Sequence, residues 1–455
     1  MQKIIDRSKP PVPGIPKDVV FPDYEKVKIS NGIEIIVVED KRLPLVTARF
    51  LFKTGALYDA IKNDIRPGLT SLTSELITKG TNKNSATELA ELIDFHGAHM
   101  SAGADYESIS LNIYCLSKYF EKIFEIASEI IQIPAFSDEE IERIKIQRIN
   151  SLISNFDDGE YIAGRLFKSE IHKNSPYSIN IDGTGNSVNS LQKNDFVNYH
   201  DMYFTPENLL IAFVGDINVS DAVKISEKYF SGLKVRNIDR ISFESPATIK
   251  GKKVFIAERK QAVQSDIVLG HISTKRKNPD YISLMVMNTI LGGFFTSRIN
   301  KNLREVNGYT YGAHSYFNCY KMSGEFSVET SVGNIQTVSA IKEIIKEIDF
   351  IKEFPVGETE LTNAKNYIIG NFMLQLETAN AIASKIIYLN LFELEDDFYS
   401  HFISKINDVT VNDVKNAAEK YLNSDNITVA VAGVSEEILS EMEQIGDTKV
   451  LNYTE

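Results

Sequence analysis

Three polar residues on one turn of a short helix are where residue type and spacing bear on chemistry in this sequence. In GLTSLTSELITKGT (68–81), Leu69, Leu72 and Leu76 recur at i, i+3 and i+7, which predicts an amphipathic helix that Pro67 can open and Gly80 can end. Ser71, Ser74 and Glu75 fall on its other face, where positions i, i+3 and i+4 project together as a ligand set would. Of these only Glu75 is a good metal donor, and Ser74 cannot take a proton from a bound water near neutral pH as a carboxylate can. A second segment, TSRINKNLREVNGYTYGAHSYF (296–317), predicts a helix with Ile299 and Leu303 on one face, a stop at Gly308, and a strand alternating from Tyr309 to Phe317.

Other chemistry-bearing residues are dispersed. Of seven histidines only His96 and His99 are neighbours, at a helix end marked by Gly97, so a helical i, i+3 metal pair is not expected there. His172, His200, His271, His314 and His401 stand singly, and no Ser-His-Asp or Cys-His spacing emerges, although folding rather than spacing assembles such triads. Cys115 and Cys319 lie one in each half. They cannot form a disulfide framework or a thiolate zinc site unaided and are expected to be buried small residues.

The elements that position these residues form a repeated pattern. NDFVNYHDMYFTPENLLIAFVG (194–215) and NDVKNAAEKYLNSDNITVAVAG (412–433) share an Asn-Asp start, a helix ending in Tyr203 or Tyr421, a turn at Asn208 or Asn426, and a buried strand closing on Gly215 or Gly433. One unit is therefore used twice. VKISNGIEIIVVED carries the Asn31-Gly32 hairpin signal, and VTARFLFKTG follows as a third strand. Capping boxes open helices at Ser85-Ala-Thr-Glu88 and Ser137-Asp-Glu-Glu140, and another helix runs from about Ser117 to before Pro134. The expected fold class is α+β: two tandem homologous domains, each a mostly antiparallel sheet with helices packed on one face. Boundaries are expected at 21–235 and 253–455, joined by a polar linker over 236–252 and preceded by a proline-bearing extended arm over 1–20.

A chain of 455 residues with 43% apolar content is large enough for two such cores. A formal charge of -13 without any basic block argues against nucleic acid and leaves peptides, basic ones included, as ligands. IEIIVV and NLLIAFVG are strand-sized, so a soluble protein with no membrane partner is expected. MQKIIDRSKPPVPGIP holds no apolar signal core, which leaves a cytoplasmic location, or a periplasmic one if a signal was removed.

Across almost its whole length the chain resembles the insulinase-like, or pitrilysin-type, zinc peptidases, whose inverted zinc motif is H-x-x-E-H. The landmarks are KTG (53–55), Gly68-Leu69 before the motif and Lys79-Gly80-Thr81 after it. On that frame Ser71 takes the place of the first histidine, Ser74 that of the catalytic glutamate and Glu75 that of the second histidine. The family's third ligand corresponds to the RINSL stretch (148–152), at Ser151, since Glu142 and Glu160 would need a large register slip. The resemblance thus implies a degenerate motif and no metal held by this chain. It also implies that Arg304 and Tyr311 match the family's substrate-holding, oxyanion-stabilising pair, with Tyr309 the nearest rival for the tyrosine. Peptide is expected to add as a strand beside HMSAGAD (99–105), centred on Ser101, Ala102 and Gly103, although these residues fit an inner strand or a turn equally. The family includes heterodimers in which one subunit carries zinc and a similar, degenerate one supplies the Arg and Tyr. The expectation is therefore a non-catalytic subunit whose partner is a homologous zinc-bearing peptidase subunit. The rival expectations are a structural or peptide-binding protein like the peptidase-related core subunits of respiratory complexes, and an independent enzyme with a relocated metal. The short Gly-Gly-Phe-Phe loop (292–295) favours the bacterial-type heterodimers.

Overall fold

The computed structural model describes residues 20–61 and 64–452, so nearly all of the arm expected over 1–20 lies outside the described residues. The first half forms a six-stranded sheet from β1 (Glu25–Lys28), β2 (Glu34–Glu39), β3 (Leu45–Phe52), β4 (His99–Ala104), β5 (Ile109–Leu116) and β6 (Leu209–Gly215), in the order β1-β2-β6-β3-β5-β4. The pair β2 and β6 is parallel and the remaining pairs are antiparallel. The second half repeats this with β7 (Lys253–Glu258), β8 (Gln264–Ile272), β9 (Ala313–Cys319), β10 (Gly324–Gly333), β11 (Thr428–Gly433) and β12 (Asp447–Leu451), in the order β9-β10-β8-β11-β7-β12. Without the outermost β1 and β12 the two orders coincide. The repeated stretches supply equivalent parts, the helices Lys193–Tyr203 and Val411–Tyr421 leading into β6 and β11. The halves differ at one margin: β1 runs antiparallel to β2, whereas β12 runs parallel to β7.

The unbroken apolar runs in β2 and β6 mark strands covered on both faces. Ile35, Phe50 and Phe213 pack on the first half's own helices through Phe124 and Phe230. Leu51, Leu210 and Ala212 face the other way, where helix Ala379–Leu391 of the second half packs on β3 and β6. Helix Gly159–Ile171 of the first half returns the arrangement, laying Ile162, Leu166 and Phe167 over Val268, Ala430 and Ala432 of the second sheet. Each half thus closes the sheet face that the other leaves bare. An uncovered sheet would expose apolar area worth roughly 25 cal/mol per Å², so the two halves depend on each other. One-faced helical cover therefore describes each half alone, not the assembled chain.

Local signals acted through specific bonds. Ser85 and Glu88 form the full reciprocal capping box, whereas Ser137 accepts from the Glu140 amide but Glu140 turns to Arg143 instead. The helical segment Tyr281–Val306 is long and apolar enough to cross a membrane by length and composition. It is interrupted between 294 and 297, and Leu284, Met287, Ile290, Ile299 and Leu303 enter the second core, as in a core helix. From 234 to 249 the chain has neither helix nor strand, tied down by Arg240 on Asn208 Oδ1 (2.9 Å) and Ser245 against Ser323 (2.8 Å).

Candidate functional site

Helix Leu69–Leu76 has Gly68 as its N-cap, with Pro67 just outside. Gly68 has φ +93° and a Cβ there would stand 3.2 Å from the Cα of Gly183, itself at φ +80°, so two left-handed glycines let the helix start touch the loop that carries Asp182. Asp59 accepts from the Thr70 amide at 3.0 Å, satisfying one of the free donors of the helix start. Burial pushes this carboxyl up to about 8, against the lowering effect of its bonds to Thr70. Leu69, Leu72 and Leu76 enter the core, which turns Ser71 and Glu75 toward helix Asp138–Asn155.

The residue that meets them from that helix is Arg148. Its guanidinium donates to Ser71 Oγ at 2.8 Å, to Glu75 Oε2 at 3.1 Å and to Asp182 Oδ1, and Ser71 Oγ lies 3.3 Å from the same Asp182 oxygen. Ser74 turns back to the carbonyl of Ser71 (2.7 Å) and takes no part. Ser151 stands almost one turn further along the helix, exposed, so the position expected to match the third ligand is not the one that reaches the cluster. Glu142 and Glu160 are engaged elsewhere, with Lys145 and Ser331. Arg148 and Asp182 were missed by sequence reasoning, though Arg148 is the first residue of the RINSL stretch and a cation facing Glu75 was a signal open to use.

These residues do not fit zinc. The cluster offers one neutral hydroxyl, Ser71, and two carboxylates, Glu75 and Asp182, both already bonded to the same guanidinium, and a dication would have to displace Arg148 to reach either. No group of three or more His, Cys, Asp or Glu able to hold a metal occurs among the described residues. His96 Nδ1 lies 2.7 Å from the Leu92 carbonyl, and burial pushes the thiols of Cys115 and Cys319 up to about 12. Arg148→Met is expected to cost about 1–2 kcal/mol in urea unfolding, by removing charge-assisted bonds that are partly shielded from water and leaving Glu75 and Asp182 unpaired.

Arg304 lies in a π-wound turn, Lys301–Val306, with Leu303 buried behind it. Its guanidinium carbon sits 4.4 Å from the ring centre of Phe295, in the Gly-Gly-Phe-Phe loop, and no ion pair or hydrogen bond to it occurs among the described residues. Tyr311 is 98% exposed. The strand expected from Tyr309 starts only at Ala313, because the Thr310 hydroxyl bonds the Gly312 carbonyl (2.9 Å) and amide (3.1 Å), holding a local turn outside the ladder. Asn300, buried, fixes both flanks by accepting from the Ala313 amide and donating to the Phe295 carbonyl. Tyr309 instead packs against the second core. Among the described residues no hydrogen bond or ion pair links Arg304 or Tyr311 to each other or to the Ser71 cluster.

Ser101, Ala102 and Gly103 lie on β4, the end strand of its sheet, opposite Asn112, Leu111 and Ser110 of β5. They are neither an inner strand nor a turn. Helix Leu69–Leu76 packs beside them, and a Cβ at Gly103 would meet nothing within 4 Å.

The sequence match decides the family. The description "Insulinase (Peptidase family M16)" fits residues 35–170, and "Peptidase M16 inactive domain" fits residues 190–368. The chain belongs to the insulinase, or M16, peptidase family. Its relatives within that family include an uncharacterized zinc protease of Rickettsia felis, 27% identical over 77% of this chain and 83% of its own length. A non-peptidase homolog of Helicobacter pylori, YmxG, is 22% identical over 88% of this chain and 91% of its own length. Among solved structures, an M16 inactive domain from Pseudomonas fluorescens shares the fold with a TM-score of 0.85 and 23% identity, covering 90% of this chain and 98% of that one. In this M16 chain Ser71 and Glu75 are closed on Arg148, while Ser74 bonds the Ser71 carbonyl.

Proposed function

We propose that this M16 chain is the non-catalytic subunit of a heterodimeric zinc metallopeptidase that degrades peptides or unfolded chains. The observation that supports the reading is Arg148 bonded to Ser71 and Glu75, the two residues that the family resemblance aligns with metal ligands. In this reading zinc and the general base belong to a homologous partner. Arg304 and Tyr311, without competing polar partners among the described residues, supply donors to the developing oxyanion and hold substrate. The open edge of β4 at Ser101, Ala102 and Gly103 offers backbone donors and acceptors to an extended peptide, a mode that tolerates many sequences.

The purified chain alone is expected to show no hydrolysis of a quenched peptide, with turnover appearing on mixing with a homologous chain that retains H-x-x-E-H. Cleavage by the isolated chain would overturn the proposal. The name of the Helicobacter pylori relative, a non-peptidase homolog, favours a second reading, a peptide-binding or structural protein with no hydrolytic partner. That reading predicts peptide binding at β4 without turnover in any mixture.

A further inference from the structure

A second set of cations lies away from both half-sites. Arg276, in the loop after β8, is 2% exposed. Its guanidinium carbon is 3.5 Å from the ring centre of Tyr281, 5.0 Å from that of Phe398 and 5.2 Å from that of Tyr388. Its Nε donates to the Tyr388 hydroxyl at 2.7 Å, and its other guanidinium donors have no hydrogen-bond partner or ion pair among the described residues. Burying a guanidinium without a counter-charge is costly, and aromatic faces offset only part of that cost. Glu393, Glu395, Asp408 and Asp413 border the groove on the other side of Arg276, but Glu393 is paired with Lys321 at 2.8 Å and none of the four bonds Arg276.

Arg276 forms part of the wall of a cavity of about 680 Å³, within the size range of small-molecule sites. Lys385, on helix Ala379–Leu391, enters the same cavity. Its Nζ donates to Gln375 Oε1 at 2.7 Å, lies 5.0 and 5.1 Å from the ring centres of Phe372 and Tyr399, and has no ion pair among the described residues. Burial lowers the Lys385 pKa, as expected for an ammonium lacking a carboxylate. No aspartate or glutamate lines this cavity, in a chain with a formal charge of -13. Two cations lacking carboxylate partners, set among phenyl and phenol rings, match a ligand with one negative head and an apolar body.

We propose that this cavity binds a carboxylate joined to an aromatic or aliphatic body, the head facing Arg276 and Lys385 and the body lying on Phe372, Tyr399 and Phe402. The residues that line it all lie in the second half, between Arg276 and Phe402. The same chemistry is offered by the C-terminal end of a peptide finishing in an apolar residue and by a free aliphatic acid. Calorimetric titration of the full chain with N-acetyl-phenylalanine, its uncharged amide and decanoate separates them. At least one of the two acids is expected to bind one-to-one, with the amide at least about tenfold weaker than N-acetyl-phenylalanine if that acid binds. Tighter N-acetyl-phenylalanine identifies a peptide terminus, and tighter decanoate a free acid. Lys385→Gln is expected to weaken the bound acid at least about tenfold with unchanged Tm, which spares the stacked Arg276 from substitution. Absence of saturation by either acid up to about 10 mM would overturn the proposal, as would an amide that binds equally or a Lys385→Gln chain that binds like the parent.

Discussion

Tyr311→Phe, introduced into this chain of the proposed heterodimer, is expected to lower kcat about a hundredfold, the effect of losing one donor to an oxyanion. The phenol is 98% exposed and bonds nothing among the described residues, so stability should change by less than about 0.5 kcal/mol. A fall in turnover with unchanged Tm and unchanged co-elution of the two subunits would therefore report chemistry rather than folding. Arg304→Ala should lower kcat/KM by a comparable factor and also raise KM, since a guanidinium can hold substrate as well as charge that develops later. Its packing on Phe295 makes a small stability loss expected here, which Arg304→Lys should largely restore without restoring turnover. Normal kcat in both Tyr311→Phe and Arg304→Ala would remove their role in the reaction and favour the peptide-binding reading.

The largest effect on stability is expected at the contact between the halves. His172, fully buried at the end of helix Gly159–Ile171, lies with Nε2 2.7 Å from Glu325 Oε2 on β10. Glu325 also accepts from Asn318 (3.0 Å) and Tyr320 (2.9 Å), and Lys168 approaches within 3.6 Å. Burial alone would raise this carboxyl, but the His172 bond and the Lys168 charge outweigh it and hold it at about 2. His172→Ala removes the ring and leaves a buried carboxylate with fewer donors. It should cost about 3–5 kcal/mol in urea unfolding, the range for breaking a buried pair from one side. The acid dependence follows from the same group. Its folded value of about 2 lies below the unfolded 4.5, so ionised Glu325 contributes stability fully above pH 4.5. That contribution, about 3 kcal/mol from the size of the shift, is lost as pH falls from 4.5 through 2. Glu325→Gln should flatten this part of the stability profile, and an unchanged acid limb would show that Glu325 does not carry it.

Much of the fold is legible in the chain itself. The strand runs, the Ser85 capping box and the repeat of 194–215 at 412–433 are local features, and local bonds or local burial enforce them. The start of β9 was misplaced because alternation from Tyr309 to Phe317 is blind to the Thr310 hydroxyl, which bonds Gly312 and holds that stretch out of the ladder. Ser71 and Glu75 were readable as a helix face, while Asp182 was not: it lies 111 residues from Ser71 in sequence and reaches it through the Gly68–Gly183 contact.

By itself, then, the sequence determined the α+β class, the duplication, and a helix face lacking the imidazoles that a zinc site needs, since each depends on residue type at short spacing. Tertiary structure decided that Arg148 rather than Ser151 faces Glu75, that each half covers the other's sheet, and that Arg276 and Lys385 share one cavity. Those outcomes depend on which surfaces meet across long stretches of chain. Burial and charge pairing between distant segments select them, and spacing along the sequence carries no record of that choice.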